Sequence, residues 1–207
     1  ALPDWEGAFN TSLRFKNWSF SMQWDGKVGG MTYSQSHHKM CEQGHLAETL
    51  NGRKPGTSLY LDIADPDVLK LFEKQKITPV AGVYCIAPGV VDNGDGTYSP
   101  NQKLVTLESY YKEYYRIGNV ETNTFSTTYL KLREVRLDYQ LPKSWLKNTF
   151  INNASVGIYG RNLLCITSYP MYDPETTSLD GNTFVPGVEV GTLPTSRSWG
   201  VNLKVDF

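Results

Sequence analysis

The residue types best suited to chemistry gather at His37-His38-Lys39-Met40-Cys41-Glu42-Gln43-Gly44-His45. On a helix, His37, Cys41 and His45 stand at i, i+4 and i+8 and share a face. Imidazole and thiolate suit zinc or copper. A straight helix nevertheless holds His37 and His45 about 12 Å apart, too far for one ion unless Gly44 breaks it. The expectation is a polar loop helix, and no metal or cofactor is assigned. Asp92, Asn93 and Asp95 resemble the start of a calcium loop, but no Glu stands at the distance that frame demands. With Gly94 and Gly96 they suit a β-hairpin tip, because Asn-Gly and Asp-Gly supply positive φ. Tyr110, Tyr111, Tyr114 and Tyr115, and further on Tyr169 and Tyr172, could stack on the apolar faces of sugars or pack a helix against its neighbours. No Ser-His-Asp arrangement, phosphate loop or carboxylate pair stands out, so no catalytic residue is assigned and the chain is not expected to be an enzyme.

The elements carrying these residues read as strands. Phe9, Thr11, Leu13 and Phe15 alternate with polar neighbours, and after Lys16-Asn17 the alternation resumes as Trp18, Phe20, Met22 and Trp24. Period-two alternation means a strand with two unlike faces. Trp199, Val201, Leu203, Val205 and Phe207 repeat the pattern at the C-terminus, and Ala154, Val156 and Ile158 repeat it in between. Val135, Leu137 and Tyr139 form a further stripe, but Leu130 and Leu132 are out of phase with it, which predicts a β-bulge near Arg133. The strands predicted are about 7–16, 17–26, 127–141, 154–163 and 197–207, each near the length that crosses a bilayer when tilted.

Composition agrees. The 207 residues are 40% hydrophobic and 13% aromatic, with 20 Lys+Arg against 21 Asp+Glu. There is no basic excess for a nucleic-acid partner. No run of 18 apolar residues exists, which excludes a membrane helix but not a barrel, whose strands alternate. Cys41, Cys85 and Cys165 are too few and too scattered for a disulfide framework, although a Cys41–Cys85 bridge fits an oxidising compartment. Ala1-Leu2-Pro3-Asp4-Trp5 is neither basic nor apolar and does not read as a signal peptide.

The connections are unequal: two short turns, at Lys16-Asn17 and about 142–153, and two long loops, about 27–126 and 164–196. Alternating short turns and long loops characterises outer-membrane barrels. The long loop should hold elements of its own, with helices expected near 34–50, 65–76 and 107–116. The fold class expected is therefore all-β: an antiparallel transmembrane β-barrel segment with long extracellular loops. Trp18, Phe20, Met22, Trp24, Val135, Leu137, Tyr139, Trp199, Val201, Leu203 and Val205 would face lipid. Arg14, Asp25, Arg136, Asp138, Lys204 and Asp206 would face a wet lumen. Five strands cannot close a barrel, so other strands must complete the wall.

Several segments resemble one family in order along the chain. They are Pro3-Asp4-Trp5 near the start, Tyr129-Leu130-Lys131-Leu132-Arg133-Glu134-Val135-Arg136-Leu137-Asp138-Tyr139-Gln140-Leu141-Pro142, Tyr159-Gly160-Arg161-Asn162-Leu163, Tyr172-Asp173-Pro174-Glu175 and Pro194-Thr195-Ser196-Arg197. The family is SusC/RagA, the TonB-dependent outer-membrane transporters. The resemblance implies the C-terminal portion of a 22-stranded barrel that elsewhere carries a plug and a TonB-binding segment. It implies a SusD-like lipoprotein lid, import of glycans or peptides, and membrane lipid around the wall. The six tyrosines become candidate substrate or lid contacts, and Phe207 resembles the C-terminal aromatic of the barrel assembly signal. The competing reading is a soluble, secreted carbohydrate-binding or adhesion domain that buries the same stripes between two sheets.

Overall fold

A computed structural model describes residues 2–147, 149–180 and 183–207. Contacts divide the chain into two units, residues 1–34 with 124–207, and residues 35–123.

The first unit is built on a five-stranded sheet: β1 (Pro3–Phe15), β2 (Trp18–Gly29), β3 (Tyr129–Gln140), β4 (Asn153–Thr167) and β5 (Ser198–Asp206). Neighbours in sequence are neighbours in space, and every pairing is antiparallel. All five strands lie where the alternation predicts them, with β1, β2 and β4 extending several residues further. The β1–β2 turn is the two-residue Lys16-Asn17, with Phe15 opposite Trp18. Lys16 takes φ +52°, a left-handed conformation that a two-residue hairpin commonly requires. The β3–β4 turn contains α4 (Lys143–Leu146) after Pro142.

The phase break in β3 is a bulge at Arg133. Gln23 pairs with Glu134 and the next residue, Trp24, with Leu132, so Arg133 is the extra residue. On the other side the register with β4 also shifts, between Arg161 and Leu164, where Asn162 takes φ +51°. The bulge returns Leu132 and Leu130 to the face of Val135, Leu137 and Tyr139. Gly160 lies opposite Trp199, and a Cβ there would meet the indole ring at 2.8 Å, so glycine makes room for the tryptophan. The unit also holds a small sheet of Met31–Ser34 between Thr124–Ser126 and Val188–Glu189, and a hairpin of Ser178–Asp180 with Thr183–Val185.

The second unit holds α1 (Gln35–Glu42), a 3₁₀ turn at Ala47–Leu50, α2 (Pro66–Gln75) and α3 (Leu107–Tyr114). The helix expected over 34–50 stops at Glu42. Gly44, at φ +77°, lets its own N–H reach Cys41 O and the His45 N–H reach Met40 O, the Schellman closure that ends a helix. The α2 start is specified by Asp65, whose carboxylate accepts from Asp67 N at 2.9 Å, with Pro66 in the first turn. Strands Val90–Asp92 and Tyr98–Pro100 form the hairpin expected around Asn93-Gly94-Asp95-Gly96, pinned by Gly94 N–H donating to Asp92 at 2.8 Å. A small core joins Cys41, Leu59, Cys85, Leu107, Tyr111 and Tyr115. Cys41 and Cys85 are free thiols, so the Cys41–Cys85 bridge does not form. Burial pushes the Cys85 thiol up to about 11.

The left-handed Lys16 supplies a stability test. Lys16→Gly removes the Cβ strain of that conformation and should raise the unfolding free energy by about 1 kcal/mol in a denaturant titration. Lys16→Val should lower it.

Candidate functional site

The sheet has two chemically distinct faces, and the register shows how they are assembled. Residues paired across strands share a face. Leu13, Phe20, Leu137, Ile158 and Val201 form one row across all five strands, and Phe15, Trp18, Tyr139, Val156 and Leu203 the next. Thr11, Met22, Val135, Gly160 and Trp199 form a third. Beyond the bulge, Phe9, Trp24, Leu132 and Leu164 continue the face over four strands, and Ala154 with Val205 extends it at the other end. Thus Trp18, Phe20, Met22, Trp24, Val135, Leu137, Tyr139, Trp199, Val201, Leu203 and Val205 all lie on one face. No charged side chain occurs in these rows. Much of this face is left open: Trp199 and Val201 are 73% exposed, Leu203 70% and Leu13 62%, although Ala154 is buried. Contiguous exposed apolar patches of this kind are uncommon on soluble surfaces. Phe207 follows β5 and stacks on Phe150 with ring centres 5.6 Å apart.

The opposite face is polar. Its rows include Arg14, Ser19, Asp138, Gly157 and Asn202, then Ser12, Ser21, Arg136, Tyr159 and Gly200. Arg136 donates to both oxygens of Asp138 at 2.6 and 3.0 Å. Near the turn end, Arg14, Arg136, Asp138, Gln140 and Lys204 line a polar depression.

A charge cluster stands where the bulge lies. Arg133 forks onto Asp25, with Nε to Oδ1 at 2.6 Å and an NH2 donor to Oδ2 at 2.8 Å, and also reaches Glu175 at 2.5 Å. Lys131 donates to Asp173 at 2.6 Å and to Glu175. Tyr129 donates to Glu175 at 2.6 Å, and Thr195 to Asp173. The Lys131 and Asp173 side chains are only 4% and 3% exposed. The cluster therefore binds the segment Tyr172-Asp173-Pro174-Glu175 onto the polar face of β3. Burial alone would raise the Asp173 and Glu175 carboxyls. Hydrogen bonds from Lys131 and Thr195 to Asp173, and from Arg133, Lys131 and Tyr129 to Glu175, hold both below the usual carboxylate range.

Sequence reading names most of these residues but not their pairing. Lys131 and Asp173 are 42 positions apart. The available signal is the concentration of opposite charges in two short segments, Lys131–Arg133 and Asp173–Glu175.

The six tyrosines separate into two sets. Tyr111, Tyr115 and Tyr169 are buried, at 4%, 9% and 5% exposure, so they pack the interior instead of meeting a ligand. Tyr111 donates to Glu48 O and Asn51 O, Tyr115 donates to the Glu48 carboxylate at 3.0 Å, and Tyr169 packs edge-on against Phe125. The i, i+4 spacing puts Tyr111 and Tyr115 together on the packed side of α3. Tyr110 and Tyr114 stack 5.5 Å apart and line an apolar groove with Ala87, Pro88 and Val105. Tyr172 is exposed beside the charge cluster. Tyr110, Tyr114 and Tyr172 remain placed for contact.

His45, the third member of the sequence-derived His/Cys set, is exposed beyond the end of α1. Glu48 lies beside His37 instead, with its Oε1 3.5 Å from Nε2.

The charge cluster predicts a sign for acid sensitivity. Groups with depressed values stabilise the fold fully above the ordinary carboxylate pKa of about 4, and that stabilisation is lost as pH falls through the lowered values. Amides of residues 168–177 should therefore stay protected from hydrogen exchange at pH 5–7 and lose protection only below about pH 4. Lys131→Met strands the buried Asp173 carboxylate and takes one of three partners from Glu175, a loss of about 3–5 kcal/mol, and should remove that protection at neutral pH.

No protein-family model matches the chain. Two curated relatives align along nearly its whole length, both from Formosa agariphila. TonB-dependent receptor P3 is 23% identical over 212 residues, covering 99% of this chain and 16% of the relative. TonB-dependent receptor P26 is 23% identical over 210 residues, covering 100% and 17%. Among solved structures, the RagAB peptide importer in its open-open state superposes with a TM-score of 0.52 at 16% identity, and in its closed-closed state with 0.54 at 17% identity. Each match covers 100% of this chain and 17% of the other, and at these identities speaks for the fold. The chain thus spans about a sixth of the length of its relatives. By these full-length alignments the chain is similar to about a sixth of a TonB-dependent receptor, and it shares the fold of the matching part of the RagAB importer.

Proposed function

We propose that the chain forms part of the wall and mouth of an outer-membrane TonB-dependent transporter, with the apolar rows of β1–β5 against hydrocarbon and the polar face toward a wet lumen. The carrying observation is an apolar face continuous over five strands that stays largely open, with Trp199 and Val201 at 73% exposure and Leu203 at 70%. In lipid that face is at home, whereas in water it would drive association. No described helix is long and apolar enough to cross a membrane, and strands are the other structure able to do so.

Among the described residues β1 pairs only with β2, and β5 only with β4, so the sheet has an open edge on each side. An open edge in lipid leaves backbone N–H and C=O groups unpaired, each costing several kcal/mol. Strands from the rest of the receptor would close the barrel against both edges. The two turns, at Lys16-Asn17 and around α4, would then lie on the periplasmic side, and residues 35–123 with the segment around Asp173 outside the cell. A SusD-like lipoprotein would cap that mouth, Tyr110, Tyr114 and Tyr172 would meet the lid or a glycan or peptide substrate, and TonB would act through parts of the receptor outside this chain. Support for the pairing comes from the likeness to RagAB, described as a peptide importer.

Neighbouring residues on opposite faces provide the test. Leu203→Arg should cost about 2–4 kcal/mol in lipid, whereas Asn202→Arg, on the lumen face, should cost much less. Equal costs would remove the orientation. Deleting Phe207 should lower surface assembly of the receptor, read by labelling intact cells. Unchanged assembly would count against its role as a signal.

A further inference from the structure

Where the apolar rows of β1–β5 end, at the two turns, exposed aromatic and basic side chains stand together. Phe15 closes β1 on the apolar face, and the Lys16 ammonium lies over its ring, 5.4 Å from the ring centre. Phe150, from the β3–β4 turn, and Phe207, one residue past β5, stack within 12° of parallel, and both are largely exposed. The Asn152 N–H donates to Asp206 O at 2.8 Å, which holds the end of that turn against the end of β5. From the same turn α4 adds an exposed Trp145, with Lys143 and Lys147 exposed on either side of it in sequence.

The charge at this end is not neutralised. Lys143 and Lys147 stand at i and i+4, so one helical turn sets their stems side by side. Between Gln140 and Asn152 the sequence has no Asp or Glu, and among the described residues no ion pair holds Lys16, Lys143 or Lys147. Lysines in the second unit behave differently: Lys39, Lys70 and Lys112 each pair with a carboxylate three or four residues away. The far end of β1 carries the opposite sign, with an exposed Trp5 between the exposed Asp4 and Glu6. A basic rim is therefore particular to the turn end. Lysine lays an apolar stem along apolar surface and keeps its ammonium in water, and tryptophan likewise joins an apolar body to a polar tip. Set where an apolar face stops, both suit the boundary between hydrocarbon and lipid headgroups.

We propose that Lys16, Lys143 and Lys147 dock the turn end of the sheet on anionic phospholipid headgroups, with Phe15, Trp145, Phe150 and Phe207 seated at the hydrocarbon boundary. The proposal rests on the lipid-facing reading of the apolar rows and adds to it the charge of the lipid and the residues that select it. The Lys16 ammonium, held over Phe15, already stands on the apolar side of its turn, where a headgroup phosphate would reach it. Lys143 and Lys147 offer two ammonium groups from one helical turn, enough to meet one phosphate from two directions. A zwitterionic headgroup brings its own cation to compete with them, whereas a net-negative headgroup such as phosphatidylglycerol does not. The three lysines therefore discriminate between headgroup classes, by roughly fivefold for each lysine at the surface.

The test reconstitutes the full receptor carrying this chain in phosphatidylcholine vesicles doped with a photoactivatable phosphatidylglycerol or, in parallel, a photoactivatable phosphatidylcholine. Each probe carries its diazirine in the acyl chain near the glycerol, and adducts are mapped by peptide mass spectrometry. The expected result is adducts on peptides containing residues 143–147, with phosphatidylglycerol favoured about fivefold or more. Lys143→Gln with Lys147→Gln alters two exposed side chains and should bring that ratio near one while adducts persist. Lys70→Gln with Lys74→Gln removes the same charge from α2 and should leave the ratio unchanged. Equal yields from the two lipids in the unaltered receptor overturn the proposal. A preference that survives the loss of Lys143 and Lys147, or that falls equally in the α2 variant, overturns it as well. Adducts along residues 199–205 with none at 143–147 overturn it and leave the lipid-facing wall standing, whereas adducts in neither segment overturn both.

Discussion

The solvent against the apolar rows is the constraint from which the rest of the structure follows. Burial of apolar area is favourable in proportion to the area removed from water. Here rows such as Leu13, Phe20, Leu137, Ile158 and Val201 are removed from water only if something outside this chain covers them. On the proposed reading hydrocarbon does so, without needing a complementary shape. That explains why the face tolerates Trp18 beside Tyr139 and Trp199 beside Gly160, combinations a tight protein core would need to fit with care. It also explains the bulge. Were Arg133 paired in regular alternation instead of bulged, Leu130 and Leu132 would point to the polar side and Lys131 and Arg133 to the apolar one.

The bulge serves the polar side as well. It brings Arg133 to the face of Asp25 and Lys131, where the guanidinium can fork onto one carboxylate and touch a second. Two cations then meet three carboxylates, Asp25, Asp173 and Glu175, and a loop distant in sequence is tied to the sheet. Ion pairs this buried are a poor source of net stability, but they specify one position, since loss of a partner leaves an unpaired charge. On the proposed reading, in which this loop lies at a transporter mouth, a fixed position matters more than added stability.

The sheet was legible in the sequence because two-residue alternation is a local signal. Lys16-Asn17 as the turn and Arg133 as the bulge could both be read from a change of phase. Reading failed where structure depends on pairing across distance or on the end of a helix. Asp25, Arg133 and Glu175 carry no mark of meeting one another. The helix expected through residue 50 ends at Glu42, because the Gly44 closure outweighs the apparent His37, Cys41, His45 stripe. That ending exposes His45 and lets Glu48 approach His37. Among the tyrosines, type and spacing suggested ligand contacts, whereas only packing separates Tyr110 and Tyr114 from the buried Tyr111 and Tyr115.

The central claim concerns what touches alternate residues of the last strand. Nitroxide labels placed one at a time along residues 198–206 of the lipid-reconstituted receptor, probed by collision with oxygen and with a water-soluble nickel complex, report this directly. The account predicts a two-residue rhythm, with oxygen favoured at Trp199, Val201, Leu203 and Val205 and nickel at Asn202, Lys204 and Asp206. Nickel access at both sets, or an absence of rhythm, would contradict it.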